Sequence, residues 1–295
     1  MNNLSLKQLR YFQAVAQEGH FGRAAMACAV TQPALSVQIK DLEDQLGMTL
    51  FERSTRQVRL TGFGEDFAKR VRDILRSVDE LGDLARAAQG GMSGQLRIGV
   101  IPTVAPYLLP DVVRILADTY QGVELKIRET LSPRLIDELD AGRLDAAIMA
   151  LPLAEPTLEE FPLFDEEFVL IRPEGDRDLP VPAADQLREM KLLLLEEGHC
   201  FRDQALAFCS MNASGAREML DASSLSTLVQ LVGSGVGVTL IPDMAVPVET
   251  RSANVSVARF GGVPPKRSIG LAWRKSSSLA PQLLQMAQAI RAALG

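Results

Sequence analysis

The chain is poor in the residues that carry most metal and nucleophilic chemistry. Its 295 residues include two histidines, three cysteines and a single tryptophan. Scattered as they are, the histidines and cysteines offer no metal-binding constellation, and neither a metal nor another cofactor is expected. Three cysteines in a chain this long also exclude a disulfide framework, so any disulfide here is expected to be regulatory. No apolar run reaches the roughly 18 residues of a membrane span. The opening Met1–Lys7 lacks the charged-then-apolar order of a secretory signal. Both absences point to the cytoplasm.

The charge is not evenly spread. The net formal charge is −6, which argues against a uniformly basic surface. Through position 40, however, Lys7, Arg10, Arg23 and Lys40 face Glu18 alone, and Arg53, Arg56 and Arg59 follow within one short segment. A locally basic N-terminal region in an acidic chain suits contact with phosphates at one end of the molecule.

The first sixty residues read as short helices. Leu6, Leu9, Phe12 and Val15 fall at helical spacing, and Phe21, Ala24 and Ala25 repeat the pattern. Thr31 caps a further helix, expected from about Pro33 to Leu46, with Gly47 as its stop. Leu50–Thr61 fits a small hairpin. Between Gly64 and Gln89 there is no proline, and Phe67, Val71, Ile74, Leu75, Val78, Leu81 and Leu84 recur three or four residues apart. That is one long amphipathic helix, whose stripe is best buried against a second copy of the chain. Gly90–Gly94 reads as a hinge.

Beyond it strands and helices alternate: Leu96–Ile101, Tyr107–Asp118, Val123–Arg128, Pro133–Ala141 and Leu144–Met149, then apolar runs at Phe168–Ile171, Lys191–Leu195 and Val236–Ile241. Strand Arg267–Trp273 and helix Leu279–Leu294 close the chain and are expected to return to the first set. The expected fold is therefore α/β with an N-terminal all-α winged helix-turn-helix. The expected limits are 1–62 for the winged helix-turn-helix, 63–90 for a linker helix that dimerises, and 91–95 for the hinge. A first α/β subdomain takes 96–164 and 269–295, and a second takes 165–268. Gly233-x-Gly235-x-Gly237 lacks the preceding strand and downstream acid of a dinucleotide site and is discounted.

The N-terminal pattern is dense: Phe12-x-Ala14-Val15-Ala16, Phe21-x-x-Ala24-Ala25, Thr31-Gln32-Pro33-Ala34-Leu35-Ser36, Gln38-Ile39, Leu50-Phe51-Glu52-Arg53 and Leu60-Thr61-x-x-Gly64. It resembles the winged helix-turn-helix of the LysR-type transcriptional regulators. The resemblance implies two α/β subdomains of periplasmic-binding-protein type, a homodimer that commonly pairs into a homotetramer, and contact with promoter DNA and RNA polymerase. It also implies Gln32, Pro33, Ser36, Gln38, Arg53 and Arg56 as DNA-binding residues. A helix fits the major groove, where polar side chains reach base edges and phosphates.

Glu197-Gly198-His199-Cys200-Phe201-Arg202-Asp203-Gln204 through Cys209 resembles the redox motif of OxyR, the peroxide-sensing branch of that family. The resemblance implies that Cys200 is oxidised by hydrogen peroxide and that Cys209 resolves it to a disulfide. The segment reads as a helix, on which nine steps span roughly 13.5 Å, whereas a disulfide needs Cα atoms within about 7 Å. The helix must break for the bond to form. His199, Arg202 and a helix N-terminus beside Cys200 would favour its thiolate. Ile101-Pro102-Thr103-Val104-x-Pro106-Tyr107-Leu108-Leu109-Pro110 extends the likeness and implies a peroxide pocket of Thr103, Ser132, His199, Arg202 and Asp203. Arg202 and Asp203 are expected to pair with each other, or to form a plain surface ion pair. Cys28 is expected in the core and His20 as a capping or packing residue.

Three functions fit these residues. The first is a peroxide-responsive regulator that is not an enzyme. The second is a metabolite-responsive regulator with a site between the subdomains and incidental cysteines. The third is a thiol peroxidase with a DNA-binding appendage.

Overall fold

The computed structural model describes residues 4–53, 58–88, 94–183, 186–209, 221–262 and 264–294. The chain forms two compact units, one up to Asp83 and one from Leu84 onward.

In the first unit, α1 (Leu6–Glu18) starts at a Ser5/Gln8 capping box and stops at Gly19, whose φ of 57° is left-handed. Helix α2 (Phe21–Ala27) is capped by His20, whose ring accepts from the amides of Gly22 and Arg23. Helix α3 (Gln32–Leu46) begins at Thr31, which accepts from the Ala34 amide, and ends at Gly47. The apolar spacing of α3 explains its seat: Leu35, Ile39 and Leu42 are fully buried with Phe12 and Val15. Strands β1 (Phe51–Arg53) and β2 (Val58–Leu60) pair antiparallel as the wing. Helix α4 (Gly62–Ala88) then runs for 27 residues. Its start needs Gly64, because a Cβ there would sit 2.2 Å from the Leu50 carbonyl. Val71 and Leu75 are buried, while Ile74, Leu81 and Leu84 stay exposed. Of the expected hinge, residues 90–93 lie outside the described residues.

The second unit holds a nine-stranded mixed sheet. Strand β3 (Gly94–Val100), α5 (Ala105–Thr119), β4 (Val123–Glu129), α6 (Ser132–Asp140) and β5 (Ala146–Leu151) come first. Strand β3 lies parallel to both β4 and β5. Next, β6 (Leu158–Pro173), β7 (Leu192–Leu195), α7 (Cys200–Phe208), β8 (Asp221–Ala222) and α8 (Leu225–Gly233) build the second half. Strand β9 (Val238–Pro242), α9 (Val246–Glu249), β10 (Val255–Ala258), β11 (Lys266–Arg274) and α10 (Ala280–Leu294) complete it. The strand order is β4-β3-β5-β11-β6-β9-β7-β8, with β10 beside β6.

Two apolar cores lie along this sheet. One gathers Leu96, Ile98, Leu135, Ile148, Trp273 and Met286, so the last strand and helix do return to the first half. The other gathers Phe168, Leu193, Phe201, Leu206, Cys209 and Val229. Strand β6 serves both: Leu158 and Leu163 enter the first core and Phe168–Ile171 the second. The boundary expected at 164/165 therefore falls inside one continuous strand. Its first half, Leu158-Glu159-Glu160-Phe161-Pro162-Leu163, hides the strand pattern behind two acids and a proline. Antiparallel β11 accompanies β6 along most of its length, with a register shift between Ile269 and Gly270.

Candidate functional site

Two thiols bracket α7. Cys200 is its first residue and Cys209 its C-terminal cap, and both are free. The helix expected between them is present, so the roughly 13.5 Å separation along its axis stands. Cys200 is half-buried and packs against the first core, whereas Cys209 is fully buried in the second. Burial pushes the Cys209 thiol up to about 11, so in this conformation it is protonated at neutral pH. Cys200 instead opens α7, where the capping residue His199 supplies no side-chain hydrogen bond.

The turn into α7 is tight. Gly198 has a φ of 96°, and a Cβ there would meet the Leu131 side chain at 3.0 Å. Leu131 caps α6, so Ser132, the first residue of that helix, starts beside this turn. Thr103 is buried in the turn ahead of α5. It does not cap that helix, for the cap is Val104 and no side chain serves it. Its hydroxyl accepts from Arg267 Nη1 at 2.8 Å, and its carbonyl accepts from Nη2 at 3.1 Å.

Arg267 escaped the sequence reading. Its side chain is fully buried and paired with Glu166, the residue directly across from it on β6, at 2.8 Å through Nε. The guanidinium lies 5.3 Å from the centre of the Phe201 ring, the residue after Cys200. One cation thus joins Thr103 to the start of α7. The alternation of β11 carried a signal, because Arg267 shares a face with Ile269, Leu271 and Trp273, all buried. A charge on a strand's core face requires a partner. Glu166 supplies one, though burial pushes its carboxyl above the usual carboxylate range against the pull of Arg267.

Three expectations change. His199 is almost fully buried, and burial holds its imidazole below the ordinary 6.5 despite nearby Glu196. The ring is therefore neutral at pH 7 and lends Cys200 no positive charge. Arg202 does not pair with Asp203. Its buried Nη1 donates to the Leu195 carbonyl and to Asp221 Oδ1, both at 2.6 Å, tying α7 to β7 and β8, while Asp203 is exposed. Adjacent residues on a helix point about 100° apart, which explains why the expected pair does not form. Cys28 is only partly buried, at the end of α2, though it does pack against the core of the first unit, and its thiol too is raised by burial.

On the DNA-binding side, Gln32 and Pro33 are exposed at the start of α3, and Ser36 and Gln38 are partly exposed further along it. Arg53 ends β1, its side chain outside what is described, and Arg56 falls wholly outside the described residues. Val37, between Ser36 and Gln38, is 56% exposed and was not anticipated. Among the described residues no group of three potential metal ligands occurs, and no helix is long and apolar enough to cross a membrane.

Residues 6–65 match the model of the bacterial regulatory helix-turn-helix protein, lysR family, and residues 89–295 match the LysR substrate binding domain. The chain belongs to the LysR family. Among its LysR relatives, a probable hydrogen peroxide-inducible genes activator of Streptomyces viridosporus is 46% identical, covering 98% of this chain and 94% of that protein. The DNA-binding transcriptional dual regulator OxyR of Escherichia coli is 41% identical over 98% of this chain and 95% of its own. Solved structures agree. Full-length OxyR of Pseudomonas aeruginosa with a cysteine replaced by aspartate gives a TM-score of 0.74 at 37% identity, covering 98% of this chain and 95% of that one. Hydrogen peroxide-bound OxyR of Corynebacterium glutamicum, with a cysteine replaced by serine, gives 0.67 at 36% identity, covering 98% and 92%.

Proposed function

We infer that this LysR-family protein is a hydrogen peroxide-sensing, DNA-binding transcriptional regulator switched by a Cys200–Cys209 disulfide. The observation that carries the reading is the pair of thiols at opposite ends of α7, one at a helix N-terminus and one enclosed in a different core. The Cys200 thiolate attacks one peroxide oxygen. An S–O bond forms, the O–O bond breaks, and hydroxide leaves to take up a proton as water. The Cys209 thiol then attacks the sulfenic sulfur, an S–S bond forms, and a second water departs. The second step requires α7 to unwind, which removes Phe201, Leu206 and Cys209 from their packing.

The proposed peroxide pocket comprises Thr103, Ser132 and neutral His199 around Cys200, with Arg267 holding the Thr103 hydroxyl. Arg202 and Asp203, expected as pocket residues, take other parts: Arg202 anchors reduced α7 through Asp221, and Asp203 faces solvent. DNA contacts are assigned to Gln32, Pro33, Ser36, Gln38, Arg53 and Arg56. The exposed stripe of α4 supports a homodimer, which family likeness extends to a homotetramer acting with RNA polymerase in the cytoplasm. The protein is read as a sensor rather than an enzyme.

Footprinting on promoter DNA tests the reading. Peroxide should change the protected length for the wild type, and Cys200→Ser should keep the reduced pattern with or without peroxide. A Cys200→Ser protein that responded like the wild type would contradict the mechanism.

A further inference from the structure

Arg267 is held by more than its ion pair. Glu166, which receives Arg267 through Oε2, also accepts the Met244 amide at 3.1 Å through Oε1. Met244 belongs to the short 3-10 turn Asp243–Ala245 that leads straight into α9, and α9 ends at Glu249. Glu249 Oε1 accepts from the Tyr107 hydroxyl at 2.6 Å. Tyr107 stands one helical turn beyond Thr103, which Arg267 grips. The contacts close a circuit: Thr103, Arg267, Glu166, Met244, α9, Glu249, Tyr107 and back along α5.

This circuit spans both cores. Tyr107 lies on a helix of the first core but packs against the second, and Glu249 lies among elements of the second. Without the Tyr107–Glu249 bond, α5 and α9 would be joined in this circuit only through the Arg267 pair. The phenol is suited to a permanent tie. Burial and the facing Glu249 and Glu166 carboxylates raise it above its ordinary range, outweighing the opposing effect of Arg267, so it stays a donor at any physiological pH.

We propose that Tyr107 and Glu249 are positioning residues for peroxide reduction at Cys200, fixing α5 against α9 so that Arg267 holds Thr103 and the Phe201 end of α7 in one geometry. The proposal rests on the peroxide-sensing reading. Neither residue touches the reacting atoms. Their effect passes through Arg267 and Thr103, whose placement decides whether a hydroxyl donor meets the oxygen that leaves.

The test compares two reactions of Cys200 in the full-length chain, one needing a positioned O–O bond and one not. Rates with hydrogen peroxide and with iodoacetamide are followed by quench and mass spectrometry for wild type, Tyr107→Phe and Glu249→Gln. Tyr107→Phe should slow the peroxide reaction about ten-fold or more and leave alkylation within about two-fold. Glu249→Gln should fall between, because its amide oxygen still accepts from the phenol. A peroxide rate for Tyr107→Phe within about two-fold of wild type would overturn the proposal. So would parallel changes in both rates, which would mark a general loosening. A wild type that peroxide leaves untouched would overturn the peroxide reading itself, and this proposal with it.

Discussion

Cys209 is fully buried and its thiol is pushed up to about 11, while Cys200 is half-buried at a helix N-terminus. In the proposed mechanism, burial and helix position, rather than neighbouring charge, divide the roles of the two cysteines. His199 contributes through neutrality. Because the folded chain holds its imidazole below 6.5, the unfolded chain takes up a proton first as the pH falls. The folded state therefore loses stability from about 6.5 downward, and the loss levels off below the lowered folded value. Urea midpoints measured from about pH 7.5 to about pH 5 should fall faster for wild type than for His199→Gln. Parallel curves would show that the burial of His199 does not bear on stability. The cysteines, His199 and Thr103 were legible because motif and helix spacing name them. Arg267 and Glu166 were not, since residues 101 positions apart meet only through the pairing of β6 and β11.

At the scale of elements, α7 is the part that the proposed disulfide requires to change. Reduced α7 is held by Phe201 and Leu206 in the second core and by the Arg202–Asp221 pair. Ala207 is exposed on this helix. Ala207→Gly should weaken the helix by about 1 kcal/mol without touching the core. If oxidation unwinds α7, that change favours the disulfide and makes its reduction potential more negative by about 20 mV. Glutathione redox titration reads the shift, and an unchanged potential would mean that α7 keeps its form on oxidation. The longer helices were plain in the sequence, down to the caps Thr31 and Gly47, whereas the four-residue α9 was not read. The strands β8 and β10 were missed, being two and four residues long. Strand β6 was read only in its second half, because Glu159, Glu160 and Pro162 break the alternation of the first.

On the scale of the whole molecule, two α/β cores share strand β6, while α4 carries an apolar stripe with Leu81 65% and Leu84 59% exposed. A second α4 is the proposed cover. Leu81→Glu with Leu84→Glu should shift sedimentation toward the monomer while leaving the thermal unfolding of the winged helix-turn-helix within about 0.5 kcal/mol of wild type. An unchanged dimer would place the contact elsewhere. Both cores were foreseeable from the alternation of strands and helices, but not their junction, because the pattern resets without a break in the strand.

The most direct test is intact and peptide mass spectrometry after stoichiometric hydrogen peroxide, with alkylation of the remaining thiols, on wild type and Cys200→Ser. The account predicts a Cys200–Cys209 disulfide in the wild type, Cys28 free, and no disulfide in Cys200→Ser. Both Cys200 and Cys209 recovered as alkylated thiols from the wild type would contradict it and favour a LysR-family protein that senses a metabolite.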